Sequence, residues 1–290
     1  MTYDAFFDKI GLAEEGRECF FALQEREKIK PFSEMVKISF REYEKGDVAF
    51  SEILSVFAKC EKINIETLIL YLYLKKSLET YMVLADKGVD EEILIATYAE
   101  FAKVAAAHKE KTGIYGIPQG ILRRWLRRYV NGTIFRIGRL NFDIAESDRD
   151  YEIGGHILKK GEPCISVHIP EDGRLYEDAC EQAYAEARNV FEKCFAMKPC
   201  FFVCYSWLLS PWLADVLPED SLIVRFQKKY KIVSFDKSPG DMLTHIYPVT
   251  YAEVATKPVD EYSEDTMLRK KTKERMKQGK MIGYGTGIRL

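Results

Sequence analysis

None of the seven cysteines in this 290-residue chain forms a C-x-x-C pair, so the spacing of an ordinary zinc site or a dithiol redox site is missing. Cys19, Cys60, Cys164, Cys180, Cys194, Cys200 and Cys204 are unevenly spaced and mostly sit in apolar stretches. That placement suits reduced thiols acting as small core residues. Long apolar runs are lacking too: "LILYLYL" at Leu68 to Leu74 falls far short of the roughly 18 to 20 residues that span a bilayer. Neither charge is in excess, the formal net charge being −2, so charge alone points to no partner. The opening "MTYDAFFDKI" carries two aspartates and lacks a basic-then-apolar signal pattern. There is no internal repeat and no low-complexity tract. A cytoplasmic protein without a metal site is the expectation.

What the chain has is ample apolar surface, with 47% hydrophobic and 30% charged residues. It is also longer than one compact core usually grows, so two domains are expected. From Phe6 to about His108 apolar residues recur every three or four positions, and Pro31 is the only proline there. In "VDEEILIATYAEFAKVAAAHKEKTG" Leu94, Tyr98, Phe101, Ala105 and His108 form one helical stripe, with Asp90 as N-cap candidate and Gly113 as stop signal. These features predict an antiparallel helical bundle, hinged at "KIKPFS", "EKGD", "KIN" and "DKGVD". Glycines and Pro118 interrupt the rhythm between Gly113 and Gly120, just before the arginine-rich "RRWLRR". The boundary is placed there: residues 1–125 form the helical domain and residues 126–290 the second.

Beyond Asn131-Gly132 the period becomes two. "GTIFRIGRLNFDI" alternates on either side of an expected bulge at Gly138, and "CISVHIP" puts Ile165, Val167 and Ile169 opposite Cys164, Ser166 and His168. A helix over "LYEDACEQAYAEARNVFEKCF" then leads to a strand in "FFVCYSW". The β-α-β unit from Cys164 to Trp207 predicts a crossover between parallel strands. A short helix "SPWLADVLP", a strand "SLIVRFQKKYKIVSF" and a last strand "HIYPV" complete the reading. The fold class is α+β: an N-terminal helical bundle followed by a mixed α/β domain.

The second half resembles a family of bacterial acyltransferases in which an N-acyltransferase-type helical domain precedes a GNAT-like domain. The residues that carry the likeness are His168-Ile169-Pro170 with Gly173, Ser206-Trp207-Leu208-Leu209, Pro211, Leu217-Pro218, Ser221 and Phe226-Gln227. The resemblance implies a GNAT-like fold and transfer of an acyl group from acyl-CoA, for example acetyl-CoA, to an amine acceptor. It places the co-substrate at Ile169, Gly173, Arg174 and Leu175. The chain departs from the GNAT pattern in one respect. "IPEDGRLYEDA" holds no Q/R-x-x-G-x-G/A loop, and Glu171, Asp172, Glu177 and Asp178 surround the helix start, where they repel a pyrophosphate. The plain alternative is that Glu177 and Asp178 complement the helix dipole while Asp172-Gly173 makes a turn.

Amine attack on a thioester needs a group that accepts the amine proton and an acid for the departing thiolate. His168 at a strand end is the candidate base, against its reading as a structural hydrogen-bonding residue. Tyr205 and Ser206 are the candidate acids, and strand alternation allows only one of them to face a pocket. Two other functional classes stand beside this one: a non-enzymatic GNAT-like binding module that has lost the pyrophosphate loop, and a thiol enzyme using Cys204 as nucleophile with His168 as base. "MIGYGTGIRL" reads as a flexible glycine-rich tail. The eight Lys and Arg from Thr266 to Leu290 against one acid, Glu274, read as a solvated helix face or as a site for a CoA 3′-phosphate or an anionic partner. "RRWLRR" suits nucleic acid less well than it suits pairing with acids near a domain junction. A small-molecule acceptor is expected, with neither membrane nor nucleic acid as partner.

Overall fold

The protein is described by a computed structural model covering residues 1–199, 201–236, 240–280 and 283–290; Cys200 lies outside the described residues. The chain divides into two compact units, Met1–Arg136 and Ile137–Leu290.

The first unit is helical: α1 (Tyr3–Ile10), α2 (Glu14–Glu27), α3 (Lys30–Lys45), α4 (Asp47–Glu61), α5 (Ile65–Asp86), α6 (Glu91–Thr112) and α7 (Ile121–Val130). The four expected hinges each separate two helices, and a further break, closed by Gly11 in the left-handed conformation between α1 and α2, was not anticipated. Gly46 takes φ +127 between α3 and α4, and the Asn64 side chain accepts from the Glu66 and Thr67 N–H groups to start α5. Every residue of "LILYLYL" is buried, because α5 is apolar on all sides and runs through the middle of the bundle. In α6 the stripe of Leu94, Tyr98, Phe101 and Ala105 is fully buried, and Gly113 closes the helix in the left-handed conformation. Asp90 stands at the N-cap position, but its side chain makes no capping bond. The arginine block serves the bundle itself. Arg123 is buried and donates to Asp47 and Ser51, and the Arg127 guanidinium lies 3.8 Å from the centre of the Tyr43 ring.

The second unit is built on a six-stranded sheet. Its elements are β1 (Ile134–Ile137), in which the unit boundary falls, β2 (Leu140–Glu146), β3 (Tyr151–Ile153), β4 (His156–Leu158), β5 (Pro163–His168), α8 (Glu177–Phe195), β6 (Phe202–Ser206), α9 (Leu213–Val216), α10 (Leu222–Gln227), β7 (Lys231–Asp236), α11 (Gly240–Ile246), α12 (Tyr251–Thr256), α13 (Met267–Lys277) and β8 (Tyr284–Arg289). The sheet order is β1-β2-β5-β6-β8-β7, with β3 and β4 as a separate hairpin. β5 and β6 are parallel and joined through α8, as the β-α-β reading expects; β2 with β5, β6 with β8 and β7 with β8 are antiparallel. Cys180, Ala183, Tyr184, Ala187, Val190 and Phe191 line the buried stripe of α8, and Tyr184 packs edge-on against Phe142 and Phe202 of the sheet.

Four sequence expectations need correction, and one element was unforeseen. The glycine-rich C-terminus is no tail: Tyr284–Arg289 is a buried strand between β6 and β7. Its glycines are there for space. A Cβ on Gly285 would lie 2.1 Å from the Leu209 carbonyl oxygen, and one on Gly287 3.0 Å from Tyr230 Cβ. "HIYPV" is not a strand, because α11 runs through Ile246 and buries Met242, Leu243, Ile246 and Tyr247 with Trp212. "SLIVRFQKKYKIVSF" is α10 followed by β7, since the Ser221 hydroxyl accepts from the Val224 N–H and starts a helix. Gly138, at φ +52, lies in the short connection between β1 and β2 rather than in a bulge. The hairpin of β3 and β4 was not anticipated; Gly154 and Gly155, at φ +56 and +81, make its turn.

Candidate active site

The two faces of the sheet differ in chemistry. Register aligns Asn141 with His168, Asp143 with Ser166, Ser166 with Val203, and Tyr205 with Thr286. Because side chains alternate along a strand, Asn141, Asp143, Ser166, His168, Tyr205 and Thr286 share one face, while Phe142, Val167, Phe202 and Cys204 share the face that packs on α8. Asn141, Asp143 and Thr286 are buried, and Tyr205 is 46% exposed.

His168 ends β5. Its Nε2 lies 3.8 Å from Asp143 Oδ2 on the neighbouring strand, and the Asp143 side chain is only 6% exposed. The β5–β6 register runs from Ile165 with Phe202 to Val167 with Cys204, so His168 and Tyr205 are the next residues on adjacent parallel strands. On its other side β6 is paired with β8 along its whole length, from Phe202 with Arg289 to Ser206 with Gly285. The Tyr205 ring stacks on Tyr284 at 4.7 Å, and its hydroxyl donates to Asp236 Oδ2 at 3.1 Å. The Ser206 hydroxyl instead accepts from the Leu208 N–H at 3.2 Å and starts the 3-10 turn Trp207–Leu209. Of the two hydroxyls, the tyrosine stands on the face of His168 and the serine caps a turn, in keeping with strand alternation.

Cys204 is fully buried on the opposite face, and burial pushes its thiol up to about 12. A thiol enzyme pairing Cys204 with His168 is thereby overturned, because the sheet stands between the two groups and the thiol stays protonated.

The segment between β5 and α8 wraps one guanidinium. Arg139 Nε donates to the Arg174 carbonyl at 2.9 Å, and Nη2 donates to the carbonyls of Pro170, at 2.8 Å, and Gly173. A Cβ on Gly173 would come within 3.3 Å of Arg139 Nε, so the close approach suits glycine. Three of the acids that the sequence sets around the helix start have partners: Glu171 Oε1 lies 2.9 Å from His245 Nδ1, Asp172 lies 3.9 Å from the Arg139 guanidinium, and Glu177 holds Lys229 and Arg225. The Lys229 hydrogen bond, with Arg225 beside it, keeps the Glu177 carboxyl below its usual range. Ile169 is half-buried, Leu175 is buried, and Arg174 is exposed with Nη1 donating to the Tyr176 hydroxyl. Much of the basic C-terminal run is engaged in the same way: Arg269 with Asp265, Lys271 with Glu274, Lys273 with Glu264, Lys277 with Asp260 and Arg289 with Glu181.

Residues 1–132 match the N-acyltransferase N-terminal domain, and residues 134–289 match the GNAT-like C-terminal domain. The chain belongs to this acyltransferase family. No curated protein sequence matches it. Among solved structures, an acyltransferase mutant in complex with octanoyl-CoA is 19% identical with a TM-score of 0.69, over 99% of this chain and 86% of that one. An acyltransferase in complex with decanoyl-CoA is 23% identical with a TM-score of 0.63, over 77% of this chain and 65% of that one. An acyltransferase in complex with decanoyl-CoA and teicoplanin is 23% identical with a TM-score of 0.62, over 76% of this chain and 64% of that one. The chain thus spans slightly less than two thirds of the latter two. At these identities the likeness establishes the fold, an N-terminal helical region followed by a GNAT-like mixed sheet.

Four residues at this site were not singled out from the sequence. Asp143 and Asn141 alternate with Leu140, Phe142 and Ile144 in "LNFDI", so a polar face was legible there, but not which strand it faces. Asp236 and Arg139 reach their partners through register and loop path, which leave no local trace.

Proposed function

We propose that this family member transfers an acyl group from acyl-CoA to the amine of a small molecule by direct attack. The observation that carries the reading is the adjacency of His168 and Tyr205 on one polar face, at the C-terminal ends of two parallel strands, where ligands tend to meet such sheets. The amine nitrogen bonds to the thioester carbonyl carbon and the carbon–sulfur bond breaks. His168 accepts the amine proton, and Tyr205 supplies a proton to the departing thiolate. In the free protein Asp236 accepts that hydroxyl's hydrogen bond, so the thiolate competes with a carboxylate for the same proton.

The loop of Ile169, Gly173, Arg174 and Leu175 is the proposed seat of the co-substrate's pyrophosphate. In place of a glycine motif, Arg139 fixes the loop through its carbonyls. Pairing of Asp172 with Arg139 and of Glu177 with Lys229 and Arg225 offsets part of the repulsion that the bare sequence implies. Solved relatives whose complexes contain octanoyl-CoA or decanoyl-CoA support the choice of donor. The absent glycine loop also sustains a second reading, an acyl-CoA-binding module without turnover. The six described cysteines are free, which fits a cytoplasmic location, and no described helix is long and apolar enough to cross a membrane.

Release of CoA thiol from acetyl-, octanoyl- and decanoyl-CoA in the presence of primary amines tests the reading. The expected result is amine-dependent release that falls about 10²-fold or more in His168→Gln. No release with any donor and amine would favour the binding module.

A further inference from the structure

The polar face of the sheet carries a buried acid beside the proposed base. Asp143 sits inside β2 with its side chain 6% exposed. A carboxylate in that position is costly unless a positive charge or hydrogen-bond donors meet it. Across the antiparallel register its direct partner is Ser166, and His168 is its diagonal neighbour on the same face. Asn141 stands directly opposite His168. The imidazole atom turned toward the carboxylate is Nε2, at 3.8 Å.

We infer that Asp143 positions His168: its carboxylate selects the tautomer with hydrogen on Nε2 and leaves Nδ1 as the atom that takes the proton of the attacking amine. The inference rests on the reading of His168 as base. A neutral imidazole has one N–H and one lone pair, and which nitrogen carries the hydrogen follows from what each faces. An N–H facing a carboxylate is favoured over a lone pair facing it, and at 3.8 Å that preference is electrostatic rather than a hydrogen bond. When Nδ1 accepts the amine proton, the ring becomes a cation beside a fixed anion, so the carboxylate favours the transition state over the resting state. Asp143 is therefore a positioning residue that touches neither donor nor acceptor, and its place is fixed by the ladder between β2 and β5.

Nitrogen-15 spectra of histidine-labelled full-length protein, with His168→Gln to assign the ring, test this directly. The expected neutral form shows a pyrrole-type signal at Nε2 and a pyridine-type signal at Nδ1; the reverse pattern overturns the inference, whether or not any Asp143 variant folds. In turnover, Asp143→Asn should lower kcat about 10- to 10²-fold while KM for acyl-CoA stays within about twofold. The double variant Asp143→Asn/His168→Gln should be no slower than His168→Gln alone, since the acid acts through the histidine. Full activity in a folded Asp143→Asn, with His168→Gln inactive, refutes the role of Asp143 and leaves the base in place. Full activity in His168→Gln refutes the base itself, and this inference with it.

Discussion

Replacing Gly285 by alanine probes the least expected feature of the fold, a glycine-rich C-terminus that is an inner strand of the sheet. The added methyl would sit 2.1 Å from the Leu209 carbonyl oxygen, 2.6 Å from the Leu209 carbonyl carbon and 2.9 Å from its Cβ. Two of these atoms are backbone, so no rotamer change relieves the clash. A carbon–oxygen contact needs roughly an ångström more, and β8 must separate from the turn at Trp207–Leu209 to provide it. Overpacking of this kind costs about 1–3 kcal/mol, and the backbone contact puts Gly285→Ala at the upper end. At about 2–4 °C per kcal/mol for a unit of this size, the midpoint should fall by about 5–10 °C in scanning calorimetry. Gly287→Ala is the internal comparison. Its Cβ would meet the Leu209 Cδ1 methyl at 2.8 Å and Tyr230 at 3.0 Å, and the leucine end can give way, so a smaller loss is expected. A Gly285→Ala protein melting within about 1 °C of wild type would refute the seating of β8 against Leu209.

Tyr205→Phe should keep the melting temperature, because the side chain is 46% exposed, yet lower kcat about 10- to 10²-fold. Ser206→Ala should do the opposite, losing about 0.5–1 kcal/mol of capping while keeping turnover, and a reversal of the two effects would assign the acid to the wrong hydroxyl. Arg139→Met leaves three loop carbonyls without their donor and should weaken acyl-CoA binding at least tenfold by calorimetric titration, a loss that Arg139→Lys restores in part. Burial raises the Cys204 thiol from 9.0 to about 12, so the folded state prefers the protonated form. Its contribution to stability is complete below about pH 9 and is lost as pH rises toward 12; a melting temperature that rises over that window would contradict the burial. At neutral pH, iodoacetamide should modify exposed Cys60 and spare Cys204 in the native protein, as peptide mass mapping would show.

What could be read from the sequence was whatever local chemistry fixes. The bundle hinges were legible because Gly46 and Asn64 act on their own neighbours, and α8 because its small and apolar residues repeat at helical spacing. Alternation alone put Tyr205 and Ser206 on opposite faces. β8 was misread because Gly285 and Gly287 answer to Leu209 and Tyr230, far away in the chain, and flexibility and close approach look alike in a run of glycines. α10 was misread because "LIVRF" has the composition of a strand while the Ser221 cap and the burial of Val224 and Phe226 make it a helix. At the site, His168 and Tyr205 were visible as residue types, whereas Asp143, Asp236 and Arg139 gain meaning only from strand register and loop path. The acids around α8 misled for the same reason, since Lys229, Arg225 and His245 arrive from later elements.

Calorimetric titration of the full chain with acetyl-, octanoyl- and decanoyl-CoA, read beside thermal stabilisation, tests the acyl-CoA site most directly. One saturable site per chain, with a melting temperature that rises with ligand concentration and a response weakened in Arg139→Met, is the expected result. No heat and no stabilisation with any of the three would contradict it.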